Sequence, residues 1–294
     1  MSSKIEFHDV TKAYQQTVIF QHQDYRMRPG LTFLVGKNGA GKTTLIRLAM
    51  GLEAANSGQV LLFGAPAEKA NRAVKRKVGL QLQNEAFMRC VRAGEYIQLY
   101  EALYGSELRE GTPRLGKVWE MLEIEPLIRR YAYTLSGGEK KRLSLYLTIV
   151  GNKELIILDE PTAGIDVEVK DRIVSVIMYL RSCGCDVMVS SHDLEEFYTV
   201  CDNVLMLNQG VVFDGLKKDF EAVYDYRYRV EAEESVGDDP RLVEGKLFER
   251  RYLYSRERET LLEYFPDRSI EKTTAKDLYQ IALLDHERKG DRGK

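Results

Sequence analysis

At 294 residues the chain is long enough for one large domain, or for one domain with a small appendage, and its 44% hydrophobic and 30% charged residues exclude a disordered or fibrous protein. A formal charge of -2 provides no basic field for a phosphate backbone, which sets nucleic acid aside as a partner. The opening MSSKIEFHDV has no apolar core of signal-peptide length, and no stretch approaches the roughly 18 to 20 apolar residues that a bilayer crossing needs, so a cytosolic chain is expected.

Taken in chain order, Val10 to Tyr14 and Leu31 to Val35 read as strands. The second runs directly into Gly36-Lys37-Asn38-Gly39-Ala40-Gly41-Lys42-Thr43-Thr44, after which LIRLAM is helical. From about Glu85 to Val150 a tyrosine- and leucine-rich helical periodicity (Tyr96, Leu99, Tyr100, Leu103) marks a helical insertion. Leu155 to Leu158 and Val187 to Ser190 are short apolar runs bounded by turn or charged residues, as buried parallel strands are. The alternation up to about Gly215 predicts an α/β domain of strands and crossover helices, with ligands at the carboxyl ends of the strands. Beyond Gly215, alternating aromatic and charged residues (Tyr224, Tyr226, Tyr228; then Leu247, Tyr252, Tyr254) and a helix around Lys276 to Leu284 predict a small α+β appendage. Cys90, Cys183, Cys185 and Cys201 have no paired CxxC framework and read as reduced thiols, and the cluster Lys75-Arg76-Lys77 reads as solvated surface.

The glycine-rich segment fits G-x-x-x-x-G-K-[ST] in the strand-to-helix context that this motif requires. Glycines let successive backbone N–H groups converge on phosphate oxygens at a helix N-terminus; Lys42 adds a charge at the β and γ phosphates, and the Thr43 hydroxyl can ligate Mg2+. The run Leu155-Ile156-Ile157-Leu158 delivers Asp159 and Glu160 to one strand end, where Asp159 can hold Mg2+ and Glu160 can act as general base on a water.

Leu135-Ser136-Gly137-Gly138-Glu139 resembles the LSGGQ signature of the ABC ATPases, and the resemblance runs from about Lys4 to Gly215. It implies a P-loop NTPase core of the ABC type (residues 1–215), a helical subdomain at about 85–150 and a C-terminal accessory extension over 216–294. It further implies that Tyr14 stacks on adenine and that Gln83 reaches Mg2+ and the attacking water. By the same resemblance, Pro161 to Asp166 is the D-loop, with Asp166 at the nucleotide, and His192 contacts the γ-phosphate. Within the phosphate loop Lys37 stands where many family members carry proline, a change that leaves the backbone donors intact.

In this family ATP held by one cassette is closed over by the signature segment of another, so Ser136, Gly137, Gly138 and Glu139 are expected to act across a dimer interface. All the motifs are complete in one chain, which points to a homodimer, with a heterodimer of related cassettes as the alternative. The resemblance implies an ATP-hydrolysing subunit on the cytoplasmic face of the membrane, driving a separately encoded integral membrane subunit. The single cassette, the LSGGEKKRL signature and the C-terminal appendage are similar to exporters of drugs, peptides or ions. Soluble ABC ATPases of iron–sulfur cluster assembly are the alternative; only 94 positions separate Lys42 from Ser136, too few for the long coiled coil of the DNA-repair members.

Overall fold

In the computed structural model, residues 3–83, 86–104, 113–233, 236–237, 239–247 and 250–291 are described. Glu85, the expected start of the helical insertion, lies outside the described residues, as do the first two residues and the last three.

The chain begins with β1 (Ile5–Tyr14) and β2 (Thr17–Arg26), paired antiparallel across a two-residue turn. In β1 the alternation of buried Ile5 and Phe7 with less buried neighbours is that of a strand with one face in the core. The next strand, β3 (Leu31–Val35), is buried along its whole length and leads into α1 (Lys42–Ala49). Strands β4 (Ser57–Leu62) and β5 (Ala65–Pro66) then return to β1, giving a four-stranded antiparallel sheet in the order β2-β1-β4-β5. The sequence pattern suggested crossover connections here; short turns, which cannot make a parallel crossover, make β1–β2 and β4–β5 antiparallel instead, and β4 also pairs antiparallel with β1.

After α2 (Arg72–Arg76) and β6 (Val78–Gln81), the insertion contributes α3 (Ala93–Tyr104), α4 (Pro113–Met121) and α5 (Gly137–Ile149). Strands β7 (Leu155–Asp159) and β8 (Asp186–Ser191) flank α6 (Val167–Ser182), and α7 (Leu194–Tyr198) leads to β9 (Asn203–Leu207) and β10 (Val211–Leu216). The second sheet is ordered β10-β9-β3-β8-β7-β6, parallel except for β10. The two anticipated apolar runs, Leu155 to Leu158 and Val187 to Ser190, are the interiors of β7 and β8, each buried on both faces.

One apolar cluster (Phe7, Val10, Phe20, Leu34, Leu45, Ile157, Leu205) fills the space between the antiparallel sheet, α1 and one face of the parallel sheet. Another (Phe33, Leu145, Ile149, Leu158, Ile177, Phe197) joins the opposite face to the insertion and to α6 and α7.

The remainder forms α8 (Lys217–Val223), β11 (Tyr228–Glu231), β12 (Leu242–Leu247), β13 (Arg250–Ser255), α9 (Arg258–Tyr264), β14 (Glu271–Lys272) and α10 (Ala275–Asp291). Its antiparallel sheet runs β12-β13-β11-β14. Phe213 packs edge to face on Phe220 and Tyr224 across Gly215, and Tyr279, Ile281, Ala282 and Leu283 of α10 belong to the same apolar cluster as Phe33 and Phe197. The extension is therefore seated on the body of the protein. Among the described residues all four cysteines are free, and no helix is long and apolar enough to cross a membrane.

Candidate nucleotide site

Four neighbouring parallel strands end on one side of the sheet, and each delivers a candidate residue there. β3 opens into the phosphate loop, β6 leads to Gln83, β7 ends in Asp159 and Glu160, and β8 ends beside His192. They surround a cleft of about 600 Å³, within the usual range for small-molecule sites, lined by Lys37, Asn38, Gly39, Gly41, Lys42, Thr43, Thr44, Gln83, Glu160 and His192.

The loop bends as it does because Gly41 is left-handed (φ 104°) at the cap of α1, and a Cβ there would stand 2.8 Å from Ile19 Cγ2 and 3.0 Å from Phe20 Cζ. Gly36 and Ala40 lie at the loop's base, where a Cβ on Gly36 would meet the Leu207 carbonyl oxygen at 2.7 Å. Lys42, only 6% exposed, donates to the Gly36 carbonyl at 2.6 Å and lies 3.8 Å from Glu160 Oε1. Burial lowers its proton affinity, while the Glu160 and Asp159 carboxylates pull it back up.

Thr43 Oγ1 donates to Asp159 Oδ2 at 3.0 Å, and Ser190 Oγ donates to Asp159 Oδ1 at 2.6 Å. The Glu160 amide in turn donates to Ser190 Oγ at 2.9 Å. Glu160 has φ of 51°, a conformation costly for a non-glycine residue. Its carboxylate accepts from Gln83 Nε2 at 3.1 Å and lies 3.4 Å from His192 Nδ1. Lys141 Nζ reaches the carbonyls of Gln83 and Glu160, both at 3.4 Å.

Tyr14 ends β1 and is 40% exposed, so its ring is not a core side chain. Its hydroxyl donates to Glu53, which also accepts from Arg47 at 2.9 Å, while the Lys12 ammonium sits 4.8 Å above the ring. The Tyr14 hydrogen bond, with Arg47 and Lys12 behind it, holds the Glu53 carboxyl below its ordinary value.

Among the described residues, the signature segment and Asp166 do not line this cleft. Ser136 caps α5, its hydroxyl accepting from the Glu139 amide at 3.2 Å while Glu139 accepts from the Ser136 amide at 2.8 Å. Burial raises the Glu139 carboxyl, but the Ser136 amide and Arg130 outweigh it and hold it below the usual range. Gly137 has open space where a Cβ would stand, and Asp166 caps α6 by accepting from the Val169 amide at 3.0 Å. The sequence pattern did not single out Glu53, Lys141 or the bracing role of Ser190; only Ser190 carried a signal, a hydroxyl at the end of a buried strand.

The profile of the ABC transporter family matches residues 21–163. The linearmycin resistance ATP-binding protein LnrL of Bacillus subtilis is 30% identical over 217 residues, spanning 73% of this chain and 70% of that protein. The Nod factor export ATP-binding protein I of Rhizobium etli is 28% identical over 243 residues, 82% and 76% of the two chains. A solved ATP-binding subunit of an ABC transporter superposes with a TM-score of 0.69 at 20% identity, covering 76% of this chain and 93% of that one. A dimeric ATP-binding cassette in a post-hydrolysis state with ADP and Pi superposes with 0.63 at 19% identity, covering 72% and 98%, which attests the shared fold. The chain belongs to the ABC transporter family, as an ATP-binding, ATP-hydrolysing subunit.

Proposed function

We propose that this subunit hydrolyses ATP as one half of a cassette dimer and drives export by a separate integral membrane subunit, from the cytoplasmic face of the membrane. The observation that carries the reading is the convergence of Lys42, Gln83, Glu160 and His192 on one cleft above the phosphate loop. Lys42 and the loop amides bind the phosphates, and Tyr14 carries the adenine on the ring face opposite Lys12. Gln83 and Glu160 orient the water, Glu160 takes its proton, and His192 contacts the γ-phosphate.

Thr43, Asp159 and Gln83 suit Mg2+: their donors are hard oxygens, and one carboxylate with a hydroxyl is the protein contribution such an ion takes when phosphates supply the rest. When bound, the ion neutralises charge on the β and γ phosphates. The Gly137 and Gly138 amides and the Ser136 cap face a second copy's nucleotide, with Asp166 near the same seam. Residues 1–215 make the cassette, and 216–294 an accessory extension.

The membrane subunit docks in the groove of about 350 Å³ between the parallel sheet and the insertion, where Phe87, Tyr96, Tyr100 and Tyr104 provide aromatic anchors. Export is favoured because LnrL is a linearmycin resistance protein and the Rhizobium etli relative a Nod factor export protein. Purification of the tagged full chain from its native membrane tests the reading. A polytopic membrane protein should accompany it, and its ATPase activity should vanish with EDTA and return with Mg2+; activity without a divalent ion, or no membrane partner, defeats it.

A further inference from the structure

The C-terminal extension has no part in the chemistry above, yet one of its helices packs against elements that flank the nucleotide site. At its start α10 is anchored to its own sheet. Asp277, fully buried, accepts from Arg229 Nη1 of β11 at 2.9 and 3.0 Å, and from the amide and hydroxyl of Thr274 at 2.7 and 2.8 Å. Further along, Gly245 of β12 makes room for the helix: a Cβ there would stand 3.1 Å from Leu284 Cδ1. A buried carboxylate matched in this way fixes the helix to the sheet, since loss of either partner would strand a charge. The helix also packs on the cassette, in the apolar cluster that contains Phe33 and Val35 of β3 and Phe197 of α7.

One of its polar side chains meets an element that carries candidate chemistry. Lys276 Nζ lies 3.5 Å from Glu195 Oε2, and Glu195 sits in the first turn of α7, whose capping residue Asp193 directly follows His192.

We propose that α10 is a positioning element for ATP hydrolysis: packed in the same apolar cluster as β3 and α7, it sets the start of α7 through Lys276 and hence the place of His192. Any load on the C-terminal sheet is passed by the Arg229–Asp277 lock to α10, and from α10 to α7 on the γ-phosphate side of the cleft. The extension thus adjusts turnover without touching nucleotide. This rests on the reading of His192 given above.

The test uses the full chain with kcat and KM for MgATP measured separately. Lys276→Glu and Glu195→Lys each reverse one charge, and the double variant restores the pair with opposite polarity. Because a small misplacement of a reacting group slows chemistry more than binding, each single charge reversal should lower kcat by about threefold, the scale of an exposed ion pair, with KM within about twofold, and the double variant should recover it. Thermal midpoints should stay with the parent. Unchanged kcat in both single variants overturns the proposal, as does a double variant no better than the singles, or a loss of kcat that merely follows a loss of thermal stability. His192→Ala is measured alongside: parental turnover in that variant would show that the underlying reading of the switch had failed, whereas low turnover there with unchanged α10 variants would reject the positioning role alone.

Discussion

The nucleotide cleft and the groove beside the insertion are each built over a buried lysine, and the two lysines are treated differently. Lys42 has the Gly36 carbonyl at 2.6 Å, Glu160 at 3.8 Å and the field of Asp159. Lys153, 3% exposed, donates to the Arg76 carbonyl at 3.1 Å and lies 3.8 Å from the centre of the Tyr104 ring. Among the described residues no carboxylate forms an ion pair with it. Burial, aided by the charge of Arg76, lowers it to about 8. A lysine that has to meet phosphate is thus given carboxylates that offset part of the cost of burying its charge, which still leaves it below its ordinary value. The groove lysine has only a carbonyl and a ring face, and its charge is conditional on its surroundings.

The largest effect is expected from Glu160→Gln, which removes the base and also one of the two carboxylates beside Lys42. Turnover should fall by the roughly 10²- to 10⁴-fold of lost general-base catalysis while ATP still binds. The variant should then accumulate as an ATP-filled dimer, seen by light scattering with and without MgATP; parental turnover would take the base role from Glu160. Lys42→Ala follows, with a loss of a few kcal/mol of phosphate stabilisation, about 10²- to 10³-fold in turnover. A variant within a few-fold of the parent would break the comparison at its nucleotide end.

In the groove the expected loss is of coupling rather than chemistry. Phe87 packs edge to face on Tyr96, with ring centroids 5.2 Å apart. Phe87→Glu should leave the ATPase activity of the isolated subunit within about twofold while reducing co-purification of the membrane subunit several-fold, as expected for a buried interface anchor. An assembled and coupled transporter would move the docking surface elsewhere.

The groove was visible in sequence only as aromatic periodicity, whereas the phosphate loop and the acidic pair of the cleft could be read from the residues themselves, and Gln83 and His192 from the resemblance alone. The reason is locality: the phosphate loop from Gly36 to Thr44 and the pair Asp159-Glu160 are contiguous, so backbone rules alone assign their chemistry. The supports are not contiguous. Ser190 meets Asp159 because the parallel register of β7 and β8 pairs them, and Glu53 meets Tyr14 across 39 positions. β2 was hidden for a related reason: TVIFQHQDYR mixes exposed and buried residues in a way that only its pairing with β1 explains. Of the alternating aromatics in the extension, Tyr228, Tyr252 and Tyr254 lie in β11 and β13 while Tyr224 and Tyr226 precede β11, and nothing in that alternation tells that α10 brings Lys276 to Glu195.

The smallest effect tests the comparison at its groove end, through pH. Lys153 is near 8 in the folded chain against an ordinary 10.5. Between those values the unfolded chain holds a proton that the folded chain has released, so the unfolded state binds more protons and stability rises with pH across that window. The slope is at most about 1.4 kcal/mol per pH unit. Below about 8 both states are charged, and the full cost of burying the ammonium is borne. Lys153→Met keeps length and apolar bulk without the charge, so it should unfold at higher urea than the parent at pH 7 and lose this part of the pH slope. Buried Cys201 and Cys185, whose thiols burial raises, work in the opposite direction from about 8.5 upward, and buried tyrosines such as Tyr25 from about 10, so it is the difference between parent and Lys153→Met in urea midpoints at pH 7.5, 8.5 and 9.5 that isolates the lysine. Equal slopes in parent and variant would mean that Lys153 keeps its proton as firmly as Lys42, and that the two buried lysines differ in neighbours but not in charge.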